Sequence, residues 1–85
     1  MSLTIYSTAW CGYCHRLKRL LTDEGIAFED VDLEGDADAA DFVANVNGGN
    51  HTVPTLRFAD GSTLTNPSLT QVTMRLAELD AARQA

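Results

Sequence analysis

Positive charge is scarce in this chain. Six lysines and arginines stand against twelve aspartates and glutamates over 85 residues, a formal net charge of −6. That balance argues against nucleic-acid binding through a basic face and against attraction to anionic membranes. Long apolar runs are absent too: none approaches the ~20 residues of a membrane span. The start, Met1-Ser2-Leu3-Thr4-Ile5, lacks the basic segment and long apolar stretch of a secretory signal, so the chain reads as cytoplasmic. There are no internal repeats, linkers or low-complexity segments. Cysteine is down to two residues, so no multi-bridge framework and no zinc module built on two cysteine pairs is available. With 45% hydrophobic and 21% charged residues, the composition is that of one small globular domain over 1–85.

Those two cysteines sit in Trp10-Cys11-Gly12-Tyr13-Cys14, after a strand-like run and before a helix-like one. A Cys-x-x-Cys at a strand-to-helix junction within a βαβ pattern reads as a thiol–disulfide redox site. The physics is direct. A helix N-terminus carries unpaired N–H groups and the positive end of the dipole, so a thiolate placed there is stabilised. Cys11 is the expected nucleophile. Cys14, one turn further in and on the same side, is the expected resolving thiol and the less exposed of the two. Gly12 lets a partner's backbone approach, and Tyr13 supplies an aromatic wall and a hydroxyl.

Three rival readings are weaker. A structural disulfide at this spacing closes too small a loop to constrain the unfolded chain much. Cys11-Gly12-Tyr13-Cys14-His15 also spells a c-type haem attachment signature, with Met74 as a candidate axial ligand; the β-rich pattern and the missing export segment speak against it. Zinc held by the cysteines with His15 and His51 fits no structural zinc spacing.

Taken in order, residues 3–8 alternate as a first strand. Residues 12–24 form a helix with Leu17, Leu20 and Leu21 inward, ended by Gly25. In that helix, Arg16 or Lys18 is a candidate to hold the Cys11 thiolate or attract an anionic partner, beside the plain reading of a solvated face. Residues 26–33 give a second strand, parallel to the first through a right-handed crossover. Asp36 or Asp38 caps a second helix that runs to about Asn45 and buries Ala39, Phe42, Val43 and Val46. Asn47-Gly48-Gly49-Asn50 reads as a flexible loop. A hairpin spans 53–65, with Pro54 at its start. Asn66 and Pro67 are the expected cap and first position of a last helix, with Leu69, Val72, Leu76 and Leu79 inward and the end fraying from Asp80. The order is β-α-β-α-β-β-α.

The chain thereby resembles the glutaredoxin branch of the thioredoxin-fold family, and within it the mycoredoxins. The matching pieces are Trp10-Cys11-Gly12-Tyr13-Cys14, Val46-Asn47-Gly48-Gly49-Asn50, Thr52-Val53-Pro54, and the stretch from Phe58 to Ser68. The resemblance implies an α/β fold with a four-stranded mixed sheet flanked by three helices. It implies catalysis by Cys11 and Cys14, and a substrate site made of Trp10, Gly12, Tyr13, Thr52, Val53, Pro54, Thr65 and Asn66. It also implies that Pro54 is the family's cis-proline, turning the Val53 backbone toward Cys11, where an extended substrate can pair with it.

Two departures from ordinary glutaredoxins bear on the substrate. Ser7, Thr8 and Ala9 stand where those proteins have a lysine before the motif. Thr65 and Asn66 stand where they carry paired aspartates that read the amine of glutathione. Neutral hydrogen-bonding groups suit mycothiol, a sugar thiol with hydroxyls in place of charges, although Arg16, Lys18 or Arg57 remains available for a carboxylate. The expected function is therefore monothiol reduction of protein–mycothiol mixed disulfides at Cys11. Mycothiol is the reducing co-substrate, S-mycothiolated proteins are the partners, no cofactor or metal is tightly bound, and the protein is a monomer. Two alternatives stay open. One is a dithiol, thioredoxin-like donor, for example to ribonucleotide reductase, recharged by a flavoprotein reductase. The other is an iron–sulfur cluster bridged between two copies through Cys11.

Overall fold

The alternation of the first strand decides the layering. In β1 (Leu3–Ser7), Leu3 and Ile5 project to one side of the sheet and Tyr6 to the other, because successive strand residues point to opposite faces. Both sides must then be covered by helices. The computed structural model describes residues 3–84, and it has that arrangement. The elements follow as α1 (Gly12–Asp23), β2 (Glu29–Asp32), α2 (Ala37–Val46), β3 (Thr55–Phe58), β4 (Thr63–Thr65) and α3 (Leu69–Gln84). The sheet order is β2-β1-β3-β4. β1 pairs in parallel with β2, while β1 with β3 and β3 with β4 are antiparallel. The expected element order and mixed four-stranded sheet are both present.

One core lies between the sheet and α1 with α3. Leu3, Ile5, Leu17, Leu21, Leu56, Phe58 and Val72 are buried there, with Leu69, Leu76 and Leu79 packed against them. The second lies under α2, where Tyr6, Leu33, Ala39 and Val43 are buried. Phe42 stacks on Tyr6 at 5.0 Å between ring centroids, and the Arg57 guanidinium lies 4.9 Å from the Phe42 ring centroid.

Several boundaries differ from the sequence reading. β2 is shorter than 26–33, since Ile26 is spent on closing α1: its N–H donates to Leu21 O at 2.9 Å, past Gly25 in a left-handed conformation (φ 72°). Val46, expected in the core, is 39% exposed at the last turn of α2. Leu20 is only half-buried and lies outside the main core cluster. The Asn47–Asn50 segment is fastened to α2. Gly49 N–H donates to Ala44 O at 2.7 Å, made possible by positive φ at Gly48 and Gly49 (70° and 106°).

The start of α3 also moves. Asn66 does not cap it; Asn66 sits at φ 48°, a left-handed kink two residues earlier. Ser68 takes that place in a reciprocal capping box. Gln71 N–H donates to Ser68 Oγ at 3.2 Å, and Ser68 N–H donates to Gln71 Oε1 at 2.8 Å. Asp36, as expected, caps α2 by accepting from Ala39 N–H at 3.0 Å. At the far end α3 continues to Gln84 where fraying from Asp80 was expected; Ala85, like Met1 and Ser2, lies outside the described residues.

Candidate active site

Cys11 is the N-cap of α1. Its backbone is extended (φ −86°, ψ 110°), as a capping residue's must be, and its Sγ accepts the Cys14 N–H at 3.2 Å. A sulfur therefore occupies the place where Ser or Asp usually satisfies a first-turn donor. No acidic residue stands in that first turn to compete with a negative charge on it. The Cys11 thiol also reaches across to Val53 O at 3.8 Å, and the Val53–Pro54 bond is cis as expected. Two segments far apart in the chain thus meet at one sulfur.

The two thiols are free and differ in environment. Cys11 keeps 6% of its surface in contact with solvent; Cys14 keeps none. Burial pushes the Cys14 thiol up to about 12 from an ordinary 9.0. The neighbouring Cys11 sulfur adds to this, while the Thr8 backbone N–H and the more distant Lys18 pull the other way. Thr8 brackets the motif, since its carbonyl also accepts the Cys11 N–H at 3.3 Å. Its own hydroxyl is buried without a hydrogen-bond partner among the described residues.

Around this centre the sequence-predicted residues fall into two groups. Trp10 and Tyr13 are rim aromatics, 75% and 68% exposed. Gly12 opens onto free space, where an added Cβ would meet nothing within 4 Å. The polar residues behind Pro54 are largely turned into the scaffold. The Thr65 hydroxyl donates to Asn47 Oδ1 at 2.6 Å, and the Thr52 hydroxyl donates to Asn50 Oδ1. Asn66 N–H donates to Pro54 O at 2.7 Å, which joins the proline loop to the start of α3. The Asn66 side chain makes no hydrogen bond among the described residues.

Sequence reasoning passed over Asn47. Its amide donates to Thr55 Oγ1 at 3.1 Å and Val43 O at 2.9 Å, and it receives Thr65, so one side chain ties α2, β3 and β4 behind the proline loop. An asparagine before Gly-Gly reads simply as a turn residue, and only the fold shows what it holds. His15 and Lys18, both weighed for roles at the site, are engaged elsewhere. His15 Nε2 lies 2.7 Å from Ala9 O. The Lys18 ammonium lies 2.8 Å from Asp30 Oδ2. Burial alone would raise the Asp30 carboxyl. The Lys18 ammonium and the Ser7 hydroxyl, which donates to Asp30 at 2.6 Å, outweigh it and hold the carboxyl below its usual 3.8. Arg16 has no such partner among the described residues. No cluster of three or more His, Cys, Asp or Glu able to hold a metal occurs among the described residues.

A cysteine capping a helix, a second cysteine beneath it and the carbonyl before a cis-proline facing the first agree with the relatives of the chain. A glutaredoxin family model matches residues 3–62. The chain belongs to the glutaredoxin family. It is a thiol–disulfide oxidoreductase of that family. The glutaredoxin Rv3198A of Mycobacterium tuberculosis is 59% identical over 78 residues, covering 92% of this chain and 93% of the relative. Mycoredoxin 1 of Corynebacterium glutamicum is 38% identical over 78 residues, covering 92% and 96%. Among solved structures, the holo form of glutaredoxin C1 from a poplar hybrid (Populus tremula x tremuloides) superposes with a TM-score of 0.64 at 27% identity, covering 96% of this chain and 83% of that one.

Proposed function

We propose that this glutaredoxin reduces protein–mycothiol mixed disulfides by a monothiol route at Cys11. The observation that carries the route is the asymmetry of the pair. The Cys11 sulfur sits at the helix N-terminus under the Val53 carbonyl with an open edge, whereas Cys14 is fully buried and kept a thiol. The choice of mycothiol is supported by the uncharged Ser7-Thr8-Ala9 and Thr65-Asn66 segments and by the similarity to Mycoredoxin 1.

In the first step the Cys11 thiolate forms a bond to the mycothiol sulfur. The client protein's sulfur leaves with the bonding electron pair and takes up a proton. In the second step a mycothiol thiolate attacks the sulfur carried on Cys11, forming oxidised mycothiol and restoring the Cys11 thiolate. One client disulfide is reduced and one mycothiol is oxidised. Val53 offers its backbone to the incoming chain, Trp10 and Tyr13 wall the approach, and Gly12 leaves it open. No tightly bound cofactor is needed, and a monomer in the cytoplasm suffices.

The test is turnover of a mixed-disulfide substrate by the wild type and Cys14→Ser, with mycothiol, glutathione, or a flavoprotein reductase plus NADPH as reductant. Retained activity of Cys14→Ser with mycothiol supports the proposal. Activity that requires Cys14 and runs only on the reductase would replace it with the dithiol, thioredoxin-like donor.

A further inference from the structure

We propose that the groove between α1 and the start of α3 docks the client polypeptide of the mixed disulfide, and that it selects an extended segment carrying an acidic residue beside its cysteine. This deepens the oxidoreductase reading above and rests on it.

The groove has a volume of about 430 Å³. Tyr13, Arg16, Leu17 and Leu20 form one wall, and Pro67 and Leu69 are on the other side. The α1 residues recur at i, i+3, i+4 and i+7, so they make a single stripe that begins inside the Cys-x-x-Cys motif and runs away from it. Seven residues of helix cover about 10 Å, the reach of roughly three residues of extended chain. A segment whose cysteine sulfur departs in line with Cys11 and the mycothiol sulfur can therefore lay its neighbouring residues along the stripe. Tyr13 belongs to both places, and as an exposed aromatic it is the residue type interfaces favour.

Charge specifies the partner. The chain has twelve acidic residues, yet none lines this groove. Arg16, whose guanidinium has no partner among the described residues, does. Neither α1 nor α3 has an acidic residue in its first turn, so both positive helix ends at this side of the molecule are uncompensated. The leucines and Pro67 share the lining with the polar Asn66, Ser68, Thr70 and Gln71. A trough of mixed polar and apolar lining, with one cation unpaired among the described residues and no anion, matches a segment that carries an acidic residue among polar and apolar neighbours. A neutral sugar thiol would leave the guanidinium without a counter-charge.

The experiment uses two synthetic peptides, each with one cysteine linked by a disulfide to a small thiol. One carries leucine and aspartates within about three residues of the cysteine; its twin carries lysines in place of the aspartates. Release of the peptide thiol by reduced protein is followed in a single turnover, with each peptide prepared both as its mycothiol and as its glutathione disulfide. The acidic peptide is expected to react about five-fold faster than its twin, an advantage that shrinks in about 0.5 M salt. Arg16→Glu should abolish or invert the preference. Arg19→Glu makes the same change in net charge on the same helix outside the groove, and should leave the preference in place. Equal rates for the two peptides, or equal effects of the two charge reversals, would overturn the proposal. So would an Arg16→Glu effect confined to the choice between mycothiol and glutathione, which would place the small thiol in the groove. The peptide preference is read within each small thiol, so failure of the mycothiol reading alone would leave it standing.

Discussion

Two cysteines of one motif, both largely removed from water, have different fates because one caps a helix and the other lies inside it. Cys11 has a backbone N–H and a narrow open edge; Cys14 has neither solvent contact nor an easy route to ionisation. Alkylation of the reduced protein at about pH 7.5 should accordingly modify one thiol per chain, at Cys11, since the thiolate is the reacting species. Peptide mapping that finds the label on Cys14 at a comparable rate would contradict the geometry. The same asymmetry has a sign in stability. Folding raises the Cys14 value above its ordinary 9.0 to about 12, so it favours the thiol. That contribution is complete below pH 9 and is lost as pH rises toward 12, as the unfolded chain ionises first. The stability advantage of wild type over Cys14→Ala should shrink across that window in denaturant melts.

At the scale of elements, the site depends on how the helices are begun and anchored. Ser68→Ala removes one half of the capping box at α3 and should cost about 1 kcal/mol in urea denaturation. Asn66→Ala leaves that cap intact, so a larger loss there than at Ser68 would show that the kink matters more than the cap. The Asp30 carboxylate links β2 to Lys18 of α1 and to Ser7 at the end of β1. The carboxyl is held below 3.8, so its contribution is present above that pH and is lost as pH falls through the lowered folded value. Asp30→Asn should therefore be less stable than wild type near neutrality, with the gap closing in acid. A gap independent of pH would mean that packing, not charge, carries the link.

For the whole molecule, the sheet keeps two cores apart, one under α1 and α3 and one under α2. Leu56 is fully buried in the first and Val43 in the second. Leu56→Ala should cost about 2–5 kcal/mol, a large share of the roughly 4–13 kcal/mol a domain of this size possesses. The milder pair Ile5→Val and Val43→Ala, one on each face, should add within about 0.5 kcal/mol because the sites share no partner. A coupling well above that would mean that the sheet transmits strain between its faces.

Local chemistry made much of this legible in the sequence. The period of Leu17 and Leu21, the alternation of Leu3, Ile5 and Tyr6, the glycine after α1 and the spacing of Cys11 and Cys14 each depend on neighbours a few residues away, and each reads correctly. Tertiary contact decided the rest. Whether Val46 is covered depends on what packs against the last turn of α2. Whether Lys18 serves the cysteines depends on Asp30 twelve residues on. Asn47 looked like a turn residue because its partners, Thr55 and Thr65, come from strands that only the folded sheet brings to it. The sequence by itself determined the two cysteines at the head of a helix, the helix that follows them and the proline that opens the hairpin. Only the packed chain set the Val53 carbonyl against Cys11, buried Cys14 beyond solvent, and left Arg16 beside the groove without a partner among the described residues, because burial and long-range charge pairing are properties of the assembled surfaces.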